Sequence, residues 1–264
     1  LVGSEMCIRD RYKSAWAIAQ AGNRGVAAKL LTDFINDFPK DPRICEALTL
    51  RGDMYAKTKK EAEALMDFDR VIARWPKAES AAAAWQRAAQ IYAGRQDMAN
   101  MAKYYEGLIQ NFPKASPAAL AEAHFLLGRA AFDQGDFKSS ISHMAEAKTL
   151  DPQKYGEQVN VLSVLSYHKL QDMNKLKEAL ETLQKENPSA VARVPDVIPA
   201  WLGLQAYGMK DLETADKYMT WATQNDQLQN VKKVIWRNLA KVRLALRKYD
   251  RALVASNNFL KDED

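Results

Sequence analysis

Cysteine is nearly absent: the 264 residues contain two, at 7 and 45, too few for a disulfide framework or a four-thiolate metal site. Glycine and proline are also scarce, at 11 and 9 residues, against ordinary usage of about 7% and about 5%. This shortage of turn formers argues against a sandwich, a barrel or a disordered chain. No apolar run approaches the roughly 18 residues that a membrane span needs, and the mean hydropathy is −0.41. The signatures of phosphate loops, zinc proteases and serine hydrolases are missing as well: there is no G-x-G-x-x-G, no Walker loop, no H-E-x-x-H and no G-x-S-x-G. The expectation is therefore a non-enzyme with no catalytic residue, cofactor or metal.

What the chain does have is alanine, 41 residues in a composition that is 47% apolar and 27% charged. Alanine is the strongest helix former, so an all-α protein is expected. The first eleven residues, LVGSEMCIRDR, fit no later pattern and resemble a translated sequencing-library adapter. Residues 1–11 are set apart as non-native on that reading. The natural N-terminus is then expected to be missing, and the lack of a signal peptide carries no information about compartment.

An internal period organises the rest. Phe38-Pro39-Lys40, Trp75-Pro76-Lys77 and Phe112-Pro113-Lys114 are near-copies with prolines 37 residues apart, and Pro152 and Pro188 continue the series at steps of 39 and 36. Two slots of mostly small residues step in parallel. One runs Ala15, Gly52, Ala89, Gly128, Val164, Gly203, Ala240; the other, twelve residues later, runs Ala27, Ala64, Met101, Ser140, Leu176, Ala215, Ala252. Within a unit, Leu48, Gly52 and Tyr55 share one helical face, and Ala64, Phe68, Val71 and Ile72 form a second buried-type stripe. Asp41-Pro42 and Ser116-Pro117 read as N-caps followed by a proline in the first turn, and Ser80 as a third start.

The unit Leu48, Gly52, Tyr55, Ala64, Phe68, Pro76 resembles the tetratricopeptide repeat, W-x2-L-G-x2-Y, then A-x3-F, then P. Trp85, Ala89, Tyr92, Tyr105 and Pro113 resemble a second copy, and weaker copies cover the chain to its end. The long period is similar to that of bacterial envelope proteins of the TolA-binding and outer-membrane-assembly type. The resemblance implies an α-α superhelix of about seven helix-turn-helix units, five over 12–194 and two over 195–264. The segment 191–199 between them reads either as a hinge or as a longer rigid turn. It also implies a concave groove lined by the first helix of each unit, a protein or peptide partner, and a periplasmic or envelope location.

The inward stripe this geometry implies is polar in the early units: Thr49, Asp53, Ala56, then Gln86, Gln90, Ala93. It becomes apolar through Phe125, Arg129, Phe132, then Val161, Leu165, His168, then Ala200, Leu204, Tyr207. An exposed strip of this kind marks a binding site; the alternative is that these residues pack on one another. In the last unit eight bases lie between Gln229 and Arg251 against one acid. Lys233, Arg237 and Lys241 fall on one helical face there. This stripe suits an acidic tail or an anionic surface, or is simply a solvated face; nucleic acid is not the expected partner. His124 and His143 lie on antiparallel helices where they can approach. Only Glu122 or Glu146 is at hand as a third ligand, so structural histidines are expected. Cys45 reads as a small buried residue, and Asp67, Asp69 and Glu106 as a solvated acidic face. A larger enzyme or regulator, of which this array is an accessory part, is the remaining alternative.

Overall fold

The computed structural model describes residues 5–224 and 232–261. Among them are fourteen α-helices, one 3-10 helix over Pro188–Arg193, and no strand. The chain divides into two compact units, residues 1–134 with 142–152, and residues 135–141 with 153–264.

Unit 1 contains α1 (Glu5–Gln20), α2 (Arg24–Asp37), α3 (Ile44–Lys57), α4 (Glu61–Arg74), α5 (Glu79–Gly94), α6 (Met98–Asn111) and α7 (Pro117–Asp133), with most of α8 (Phe137–Leu150). The segment set apart on sequence, from Glu5 onward, forms the first turns of α1. Sequential helices pack as antiparallel hairpins, and α1 also touches α3, as α3 touches α5. These are the contacts of a solenoid, in which neighbours supply the core that a lone hairpin lacks. Unit 2 contains α9 (Pro152–Lys169), α10 (Met173–Glu186), α11 (Val197–Gly208), α12 (Leu212–Ala222), α13 (Lys232–Ala245) and α14 (Tyr249–Lys261), paired in the same way from α11 onward. The joint at 191–199 lies inside this unit, where Val194 and Ile198 are buried in one cluster with Leu180 and Leu202.

The residues of both small slots, Ala15 to Ala240 and Ala27 to Ala252, are all buried. Apart from Val164, Met101 and Leu176 they are small, and at two of them the partner helix leaves no room: a Cβ on Gly52 would stand 2.6 Å from the Phe68 ring, and one on Gly203 2.7 Å from Met219 Cγ. Large side chains then fill the space between slots: Phe34, Phe68, Tyr105 and Tyr218 are among the most completely buried.

Three sequence expectations change. Helix α3 starts at Ile44, two residues beyond the expected Pro42, because the Asp41 carboxylate accepts from the Arg43 amide and guanidinium. Helix α5 starts before Ser80, whose hydroxyl lies 2.8 Å from the Cys45 sulfur. Asp67 is not on a solvated face: it is buried, 4% exposed, and forms a two-pronged pair with Arg51 at 2.6 and 2.8 Å. The Ser116 cap stands, accepting from the Ala119 amide.

The turns inside the hairpins carry a second period that the prolines do not. Gly22, Lys59, Gln96, Gly135, Gln171, Lys210 and Arg247 all adopt positive φ, and an Asp or Asn at 23, 97, 136, 172 and 211 follows to cap the next helix. Five of these left-handed residues carry a side chain, at φ between 56° and 65°, a conformation that costs L-residues about 1–2 kcal/mol relative to glycine. Lys59→Gly and Gln171→Gly are each expected to stabilise by about 0.5–1 kcal/mol, read as a higher urea midpoint. A lower midpoint would mean that the turn is set by something other than backbone strain.

Ion pairs between successive hairpins share a direction. In Asp53–Arg87, Glu61–Arg95, Glu157–Arg193, Glu181–Lys217 and Glu213–Lys248, the acid belongs to the earlier element and the base to the later. Mostly exposed, each is worth at most about 1 kcal/mol.

Candidate functional site

The inward faces of the first helices differ between the units. In unit 1, Thr49 is buried and its hydroxyl donates to the Cys45 carbonyl. Asp53 stands 3.2 Å from Arg87; burial raises its carboxyl pKa, and the nearby Arg87 and Lys57 only partly offset that. Gln86 and Gln90 donate their side-chain amides to Glu122 at 2.7 Å and at 2.9 and 3.0 Å. Phe125 and Phe132 on α7 are half-buried, and Arg129 is exposed between them.

The Gln86–Glu122–Gln90 network was not anticipated. The two glutamines read only as polar members of the stripe, and Glu122 only as a possible third metal ligand. The available signal was spacing, since Gln86 and Glu122 are 36 residues apart, one period of the array.

His124 and His143 do meet, with Nδ1 atoms 3.1 Å apart and rings tilted at 44°. Among the described residues no group of three metal-ligating side chains forms. The contact instead accommodates one neutral ring donating to another. Burial lowers both pKa values; His143 adds repulsion at His124, while Glu146 opposes the shift at both rings and Glu106 at His143. A histidine with a lowered folded pKa stabilises above its unfolded value of about 6.5, and that contribution is lost as pH falls through it. Wild type is therefore expected to lose more stability between about pH 7.5 and 5.5 than His143→Gln, by at most about 1.4 kcal/mol per pH unit per histidine. Equal losses, measured by urea denaturation at both pH values, would remove the pair from the account.

In unit 2 two residues of the expected strip are corrected: Ala200 is 2% exposed and packs in the core with Ala206 and Ala215, and so does Val161 in its own cluster. Val161 is only 6% exposed and belongs to the core with Val164 and Leu176, because α9 turns it toward α10's apolar cluster instead of outward. Leu165, Leu204 and Tyr207 are half-buried at the edges of their cores. His168 is half-buried with its ring edge-on to Trp201, centroids 5.4 Å apart, and burial lowers its pKa.

Of the eight bases in the last repeat, Arg243 and Lys248 are held internally. Arg243 is buried and donates to Asp216 at 2.9 Å, to Thr220 and to the Arg251 carbonyl, while Lys248 joins Asp216 and Glu213. Lys233, Arg237 and Lys241 are exposed on α13, with the Lys233 ammonium 5.5 Å from the Phe259 ring centre. Residues 229–231 at the start of that basic stretch lie outside the described residues.

Comparison with known proteins adds the following. A tetratricopeptide repeat model matches residues 12–79 and 118–155, and a second matches 83–115, together just over half of the chain. No curated protein matches. Among solved structures, a tetratricopeptide repeat protein from Parabacteroides merdae ATCC 43184 is similar at TM-score 0.54 and 13% identity, over 97% of this chain and 93% of that one. A chain of the Naa15/Naa10 complex bound to HypK-THB has TM-score 0.57 and 13% identity, over 97% of this chain but 36% of its own. MamA of AMB-1 has TM-score 0.52 and 20% identity, over 70% and 92%. At these identities the likeness is one of fold.

Proposed function

This chain belongs to the tetratricopeptide repeat family, and from that premise we propose that it is a non-catalytic scaffold that holds a peptide or helix of a partner protein, within a bacterial envelope complex. The carrying observation is a contrast along the first helices. The slot residues Gly128, Val164 and Gly203 are buried, while Phe125 and Phe132 in unit 1, and Leu165, Leu204 and Tyr207 in unit 2, keep part of their apolar surface in water. Within each unit, partly exposed apolar side chains on the first helices favour association. Arg129 and His168 supply polar contacts that fix orientation. The envelope assignment draws on the long repeat period, which is similar to that of bacterial envelope proteins of the TolA-binding and outer-membrane-assembly type.

The test compares wild type with Phe132→Asp and with Leu165→Asp, each used as bait in an envelope extract and each melted alone. Capture should be lost in the variants while melting shifts by only a few degrees. A collapse in melting would make these residues core and end the reading.

Arg237 and Lys241 give the last repeat a basic face that speeds encounter with an acidic partner. A nucleic-acid role would instead require affinity for duplex DNA that falls steeply between low and physiological salt. Weak, salt-insensitive binding is the expected result, since Arg243 and Lys248 are committed to Asp216.

A further inference from the structure

Unit 1 holds a cleft outside the strip discussed above, between the N-terminal halves of α5 and α7. Its volume is about 630 Å³, inside the range of about 300–1,000 Å³ typical of ligand sites. Phe112, half-buried just past the end of α6, forms the floor over the fully buried Leu108, and Ala82, Ala83 and Ala119 line the walls. One repeat earlier, the positions equivalent to Ala82 and Pro117 are Cys45 and Ser80, whose side chains touch at 2.8 Å. Alanine and proline at these places offer no such contact. A related cleft of about 500 Å³ recurs two repeats earlier, lined by Glu5, Ile8, Phe38 and Lys40.

Its rim is charged. Lys77 and Lys114, corresponding residues of successive repeats, are both exposed at the mouth, and Glu79 lies among them. None of the three forms an ion pair with another described residue. Gln86 closes the inner end, its amide held by Glu122. One net positive charge over an apolar floor suits a single carboxylate attached to an apolar group, and suits a polyanion poorly.

We propose that this cleft binds an extended peptide segment of a partner protein in which an apolar side chain is followed by an acidic one. The apolar side chain lies on Phe112 between Ala82 and Ala83, and the carboxylate sits between Lys77 and Lys114. Burial on the floor supplies affinity, and the lysines supply direction and charge selection. The site stands independently of the Phe125 to Tyr207 residues.

The probe is a short, labelled peptide of alternating Leu and Glu, acetylated and amidated, titrated by fluorescence anisotropy into the full chain. Its comparators carry Lys for Glu, or Ala for Leu. The Leu/Glu peptide should bind, and both comparators should bind at least about tenfold more weakly, a difference of about 1.4 kcal/mol. The double variant Lys77→Glu with Lys114→Glu, and separately Ala83→Phe, should each weaken binding by about the same factor. Phe132→Asp should leave it unchanged, which separates this site from the inward strip. Absence of binding, equal binding of either comparator, or indifference to the lysine pair overturns the proposal. Should Ala83→Phe fail to fold by circular dichroism, the lysine variant, confined to surface residues, decides alone.

Discussion

Asp216→Ala is expected to cost about 3–5 kcal/mol, because it strands a buried charge. The Asp216 and Arg243 side chains are 9% and 8% exposed, and the carboxylate takes Arg243 Nε at 2.9 Å and Lys248 Nζ at 2.9 Å. Without it, Arg243 keeps only Thr220 and the Arg251 carbonyl, both neutral. Replacing both partners together, Asp216→Leu with Arg243→Met, should recover much of the loss, since a desolvated pair contributes less than its rupture costs. Burial alone would raise the Asp216 pKa, but the hydrogen bonds from Lys248 and Arg243 outweigh it and hold the carboxyl below its ordinary value. Its stabilisation is thus present above the unfolded carboxylate value of about 3.9 and is lost as pH falls through the lower folded value. Urea midpoints of wild type should therefore drop on acidification below about pH 4, and those of Asp216→Ala should drop less. An unchanged midpoint for Asp216→Ala at neutral pH would mean that the cluster contributes nothing. Contacts in the array are local, so the loss belongs in the transition reported by the unit 2 tryptophans.

Gly203→Val should destabilise by about 3 kcal/mol, the upper end of ordinary overpacking. A Cβ there would lie 2.7 Å from Met219 Cγ and 2.9 Å from the Met219 backbone nitrogen. The methionine chain can swing aside; the nitrogen moves only if α12 moves. Helix propensity works the other way, favouring most side chains over glycine by up to about 1 kcal/mol, so the sign of the result reports which effect dominates. Gly94→Ala is the control: nothing lies within 4 Å of the added carbon, and propensity alone predicts a gain of about 0.5–1 kcal/mol. A stable Gly203→Val would show that α11 and α12 are not in the close approach described.

The repeat was legible because helix packing constrains residue size at fixed intervals. Alanine and glycine at most positions of the two slots, with Phe68 and Tyr105 four residues beyond Ala64 and Met101, are direct imprints of interhelical distance. Capping by Asp at 97, 136, 172 and 211 left a clear imprint too, but in turns whose left-handed residue is Gln or Lys at three of the four and Gly at one, so the residue type conceals the conformation. Buried charge was the main failure. Asp67 and Asp216 sit on helices among other acids, and nothing local distinguishes a carboxylate facing water from one facing an arginine sixteen or twenty-seven residues away. Val161 was misread for a related reason: helical periodicity alone places it near the border between inward and core faces, and the neighbouring helix decides. Inward polar contacts such as Gln86 with Glu122 required both partners to be placed in space.

The orientation of the ion pairs, acid ahead and base behind, gives the stack an arrow. A duplicated hairpin inserted in the forward sense meets its neighbours with opposite signs at each seam, whereas one inserted backwards would set carboxylate against carboxylate and ammonium against guanidinium. Growth or shrinkage of such an array by whole periods thus keeps unlike charges together at each seam, a bias of at most about 1 kcal/mol per pair.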